Sequence, residues 1–140
     1  MLGRSFLDTN ILIYCFDKNV DFRFKAENLL RQLYQSEDCF ISSQVVVEFC
    51  RAAQQKLNPP LSMAAIRDFI NTLPAARTVL VTIPITEHAT ILQEKYRLSF
   101  WDSVIISAAL SIGCEKLYTQ DMQSGQLIEN QLLIINPFVN

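Results

Sequence analysis

The residues of this chain best suited to chemistry are carboxylates. Asp8 stands in "RSFLDTNILIYCF", residues 4–16, where the triplet Asp8-Thr9-Asn10 interrupts an apolar run. Glu48 stands among Val45, Val46, Val47, Phe49 and Cys50, Asp102 follows Trp101, and Asp121 comes just after "LYT". Burying a carboxylate among apolar neighbours is costly unless it is paired or metal-bound. Several acids facing one crevice repel each other unless a cation neutralises them. Oxygen ligands without His or Cys select Mg²⁺ or Mn²⁺. Two such ions can activate a water and stabilise the leaving oxygen in phosphodiester hydrolysis. Each acid also has an ordinary reading. Asp8 and Asp102 would serve as helix caps, Asp121 as a turn residue, and Glu48 as the partner of Arg51 one turn on.

Other site chemistries are poorly supplied. The single histidine, His88, cannot provide the paired histidines of a metal-free ribonuclease, and reads as a surface side chain. Cys15, Cys39, Cys50 and Cys114 lie singly, with no C-x-x-C spacing. They read as reduced core thiols of a cytoplasmic protein rather than a zinc site or a disulfide framework. Net charge is −2, so no global basic field attracts nucleic acid and phosphate chemistry needs local cations or metal.

The acids need elements to position them. The 140 residues, half hydrophobic and 19% charged, suit one ordinary domain spanning 1–140 with a substantial core. No apolar run approaches twenty residues, which argues against a membrane span, and no signal-type segment opens the chain. The pattern predicts a strand over 4–8 and helices over 10–17 and 22–35, the latter carrying Phe24, Leu29, Leu30 and Leu33 near helical spacing. Next come a strand at 39–42, a helix "QVVVEFCRAAQQKL" capped by Ser42 or Ser43, and a helix "MAAIRDFINTL" after Asn58-Pro59-Pro60. "VLVTIPI" (79–85) reads as a strand, with Thr86 opening a helix through "EHATILQEKYR". A helix "DSVIISAALSIG" stops at Gly113, and "KLYT" and "LLIIN" read as short buried strands. This alternation predicts an α/β fold, a mostly parallel sheet covered by helices on both faces. Asp8, Asp102 and Asp121 then fall at junctions, where such folds bind ligands beyond the carboxyl ends of their strands. Glu48 falls inside a helix.

In these segments, "FLDTNILIY", "SSQVVVEF", "LSFWDSVIISAAL" and "LYTQDMQSGQ…INPF", the chain resembles the PIN-domain nucleases, particularly the toxin of VapBC-type toxin–antitoxin systems. The order of motifs along nearly the whole chain carries the resemblance; "D-T-N" alone would not. It implies a Rossmann-like, three-layer PIN fold and a metal-dependent endoribonuclease using Mg²⁺ or Mn²⁺, with tRNA or another structured RNA as substrate. By position, Asp8, Glu48, Asp102 and Asp121 would be the catalytic, metal-binding acids. Asn10 would orient Asp8 or its water, Thr119 would hydrogen-bond within the site, and Thr9 or Asn10 would handle local backbone bonding. Many relatives carry a further acid two residues after the last, where this chain has Gln123. The resemblance also implies a small antitoxin partner and a homodimer, with "FRFKAENLLRQLY" and "MAAIRDFINTL" as candidate contact faces. Arg51, Lys95 and Arg97 are the candidate contacts for substrate phosphates. Trp101 is expected in the core, with base stacking as the alternative.

Rival readings fit less well. A haloacid dehalogenase-like phosphatase needs a second Asp where Asn10 stands. An aspartyl-phosphate receiver needs adjacent acids by the first strand and a lysine late in the chain, whereas Lys116 precedes its strand. A binding module without nuclease activity would leave the acids as caps and ion pairs alone.

Overall fold

The computed structural model describes residues 3–139. Their order is β1 (Ser5–Leu7), α1 (Thr9–Tyr14), α2 (Val20–Ser36), β2 (Cys39–Ser42), α3 (Ser43–Gln55) and α4 (Met63–Ile70), then a short 3-10 turn. There follow β3 (Thr78–Val79), α5 (Ile83–Tyr96), α6 (Phe100–Ser111), β4 (Lys116–Tyr118), β5 (Leu127–Ile128) and β6 (Leu132–Ile135). The strands form one sheet in the order β3-β2-β1-β4-β6-β5. All neighbours run parallel except β5, which pairs antiparallel with β6 at one edge.

β1 and β4 lie at the centre, paired Ser5–Lys116, Phe6–Leu117 and Leu7–Tyr118. Residues of a central parallel strand face helices on both sides, so β1 is buried along its whole length. Phe6, Leu7, Ile11, Leu33, Ile41, Phe49, Ile106 and Leu117 are fully enclosed and join α1, α2, α3 and α6 to the sheet. In α6 every residue from Ser103 to Ala109 is buried, which makes it the most interior helix. It ends in a Schellman turn, with Gly113 N–H donating to Leu110 O and Cys114 N–H to Ala109 O. Gly113 takes the left-handed φ of 73° that this turn requires.

Three boundaries differ from the sequence reading. The strand expected over 79–85 is only Thr78–Val79, and α5 begins at Ile83 rather than after Thr86. Thr82 caps α5 and Pro84 occupies its first turn, a helix-start signal that outweighs the β-branched run around it. Ser99 caps α6, so Asp102 is not its cap but lies in its first turn. The edge strand β5 was not foreseen from the polar stretch before it. The two proposed contact helices also turn much of their apolar surface inward. Leu29, Leu30, Leu33, Ile66, Phe69 and Ile70 pack on the core, leaving Phe24 and Met63 exposed.

Candidate active site

The site forms where β1 and β4 end. Asp8 follows β1 directly, and its side chain is the cap of α1, the ordinary role read for it. Its Oδ1 accepts from Thr9 N–H at 2.7 Å, and its Oδ2 accepts from the Thr119 hydroxyl at 2.8 Å. Thr119 follows β4, so this second bond ties the ends of the two central strands together.

Asp8 is 6% exposed. Burial pushes its carboxyl up to about 6 against the pull of the Thr119 and Thr9 bonds, and the charges of Asp102 and Asp121 raise it further. Asp102, half-buried at the start of α6, is also raised, by burial first and then by Asp121 and Glu48. The four acids thus share one field, although their positions in the chain span more than a hundred residues.

A hydrogen-bonded frame sets their arrangement. Thr119 Oγ1 also accepts from Asp121 N–H at 3.2 Å. Asn10 Nδ2 donates to Asp121 Oδ2 at 3.1 Å, and Asn10 Oδ1 accepts from Gln120 N–H at 3.2 Å. Asn10 therefore orients Asp121 rather than Asp8. On the other side, Thr9 Oγ1 donates to Glu48 Oε2 at 3.0 Å, and Gln44 Nε2 donates to Glu48 Oε1 at 2.8 Å. Gln44 Nε2 also reaches Trp101 O at 3.2 Å, bridging α3 to α6. Thr9 is thus a support for Glu48, and the local capping expected of it falls to Asp8.

Gln44 and Gln120 escaped the sequence reading. For Gln44 a signal existed, since it lies four residues before Glu48 and so on the same helical face. For Gln120 there was none, because its contribution is a backbone N–H. The cations expected near substrate are not gathered at the acids. Arg51 is exposed and its Nε donates to Gln55 Oε1, so the ion pair with Glu48 does not form. Lys95 is held by Glu129 at 2.7 Å, in the turn leading into β6. Arg97 is the exposed, left-handed C-cap of α5. Trp101 is 63% exposed, not core, and stands beside Asp102.

Among the described residues, no three His, Cys, Asp or Glu side chains are grouped tightly enough to hold one metal ion as they stand. Mg²⁺ does not require such a group: it commonly keeps several waters and takes one or two carboxylates plus substrate phosphates. The donors here are hard oxygens, and Asp8 and Asp102 carry unfavourable charge that a cation would relieve. The residues fit a hydrated divalent ion.

The PIN-domain family model matches residues 5–124. The chain belongs to the PIN-domain family. Among solved structures, FitAB bound to a DNA fragment is similar over 97% of this chain and 96% of its own, with 16% identity and a TM-score of 0.72. A toxin–antitoxin complex from Klebsiella pneumoniae is similar over 95% of this chain and 97% of its own, with 20% identity and a TM-score of 0.68. VapC20 of Mycobacterium tuberculosis, described as a sarcin–ricin-loop-cleaving toxin, is similar over 84% of this chain and 89% of its own, with 19% identity and a TM-score of 0.61. At these identities the likeness shows the PIN fold. No curated protein matches the sequence. Among the described residues, no helix is long and apolar enough to cross a membrane.

Proposed function

We propose that this PIN-domain chain is a divalent-metal-dependent endoribonuclease and the toxin of a VapBC-type pair. The supporting observation is Asp8, a carboxylate enclosed at the junction of the two central strands and facing the charges of Asp102 and Asp121. A cap needs no such neighbours; a cation site does. Asp8, Glu48, Asp102 and Asp121 would hold Mg²⁺ or Mn²⁺, which supplies an activated water and neutralises charge on the phosphate.

The chain's own groups divide the remaining work. Thr119 and Thr9 N–H hold Asp8 in one orientation. Asn10 fixes Asp121, and Thr9 with Gln44 fixes Glu48. Such bonds restrain carboxylates that would otherwise swing apart. Trp101, exposed next to Asp102, offers a face on which a base beside the cleaved bond can stack. Arg51 and Arg97, exposed and outside any ion pair among the described residues, would meet RNA phosphates further from the acids. Lys95 would have to leave Glu129 first.

The structural relative described as a toxin–antitoxin complex supports an antitoxin partner here, and the same reading proposes a homodimer. The four cysteines are free, which suits action in the cytoplasm, where thiols stay reduced. The deciding experiment is cleavage of a tRNA or a ribosomal RNA hairpin by purified protein. Cutting should need Mg²⁺ or Mn²⁺ and stop in excess chelator. Cutting that continues undiminished in chelator would refute the metal-dependent reading, and failure to bind Mn²⁺ would favour a binding module.

A further inference from the structure

Gln44 is anomalous. Its side-chain oxygen is buried and, among the described residues, is the only buried side-chain nitrogen or oxygen without a hydrogen-bond partner. The amide cannot be turned to relieve this. Its Nε2 faces two acceptors, Glu48 Oε1 at 2.8 Å and Trp101 O at 3.2 Å, so the reversed amide would set oxygen against oxygen twice. A buried acceptor without a donor is a cost that an apolar side chain of equal size would avoid. What the amide provides in return is a bridge. Glu48 lies on α3 and Trp101 is in the first turn of α6, one residue before Asp102.

We infer that Gln44 is a positioning residue: its Nε2 locks the Glu48 carboxylate to the first turn of α6 and thereby sets the spacing between Glu48 and Asp102 for a divalent cation. The inference rests on the metal-binding reading above. Glu48 is held on its other oxygen by Thr9, which follows Asp8. The two bonds together stretch Glu48 between the β1 end and the α6 start, the two places that supply neighbouring acids. Removing the Thr9 bond would free one oxygen. Removing the Gln44 bond would uncouple the helices as well.

Gln44→Met is the discriminating variant, because it keeps the length and volume of the side chain while deleting both the donor and the orphaned oxygen. Mn²⁺ binding is followed by titration of the purified protein, using the melting temperature and the Mn²⁺ electron paramagnetic resonance signal, with RNA cleavage measured in parallel. Metal-free Gln44→Met should melt at the parent's temperature or above it. Its half-saturating Mn²⁺ concentration should rise about tenfold, as for loss of a residue orienting a metal ligand. Cleavage at saturating Mn²⁺ should recover most of the parent rate, and Gln44→Asn, too short to span both acceptors, should also bind Mn²⁺ weakly. A purely structural Gln44 predicts a lower metal-free melting temperature for Gln44→Met with Mn²⁺ affinity unchanged, and that result overturns the inference alone. If the parent itself shows no saturable Mn²⁺ binding, both this inference and the metal reading fall.

Discussion

At the scale of single residues, the site stores electrostatic stress that should be measurable without any assay of activity. Asp102 is raised by burial and by two neighbouring acids, so Asp102→Asn removes a like charge while nearly keeping shape. Metal-free stability should hold or rise, while RNA cleavage falls by orders of magnitude and the Mn²⁺-induced rise in melting temperature shrinks. Melting curves with and without Mn²⁺ check this; a destabilised but active variant would contradict it. Asp8 gives a pH signature. Its carboxyl moves from 3.8 to about 6 in the fold, so the folded state binds the proton more tightly than the unfolded chain does. Below pH 3.8 both states are protonated and the charge costs nothing. As pH rises towards 6 stability falls, and above 6 the full penalty, on the order of 3 kcal/mol, is present. The denaturant midpoint of Asp8→Asn, taken relative to that of the metal-free parent, should therefore rise between pH 4 and pH 7. Any loss from the altered Thr119 bond displaces the variant's curve by a constant and leaves this relative slope intact. Parallel curves would show that Asp8 is not strained.

At the scale of elements, α6 does the positioning and its ends are what hold it in place. Ser99 caps its start and Gly113 terminates it in a left-handed turn. A Cβ at Gly113 would meet only Arg4 Nη1, at 3.9 Å, so Gly113→Ala suffers backbone strain without a clash. The expected cost is about 1–2 kcal/mol, read as a lower melting temperature with Mn²⁺ affinity unchanged, since the turn lies at the end of α6 remote from Asp102. Loss of Mn²⁺ affinity would mean that strain propagates along the helix. What could be read from the sequence follows the same division between local and distant signals. The Gly113 stop, a serine cap at Ser42 or Ser43, which the fold gives to Ser42, and the alternation of helix and strand are local, and each left its mark on neighbouring residues. The strand expected over 79–85 failed because Ile83 and Ile85 favour β locally while Thr82 and Pro84 favour a helix start. The junction placement of Asp8 and Asp121 was legible, because polar residues follow apolar strands at both. The frame around them was not, since Asn10–Asp121 and Thr9–Glu48 join residues 111 and 39 apart in sequence. Arg51 was read as a neighbour of Glu48 from helical spacing alone, but Gln44 and Thr9 already occupy the carboxylate.

At the scale of the whole molecule, the acids lie where the parallel strands end, and the cations nearest in sequence are exposed or paired elsewhere. An acidic face of this kind should attract a partner with a basic or aromatic segment. Expressed with the short reading frame beside its gene, the chain should co-purify with that product and lose RNA cleavage in the complex. If nothing co-purifies, the toxin assignment weakens while the nuclease assignment stands. The bond between Asp8 and Thr119 has a further consequence, because it joins residues 111 apart and the central pairing of β1 with β4 closes the same long loop. During synthesis β1 leaves the ribosome well before β4, its neighbour on that side. Until then Asp8 has no Thr119 to hold it and Asp121 does not exist. A growing chain therefore carries the proposed site unfinished, its acids drawn together only once β4 has emerged to pair with β1.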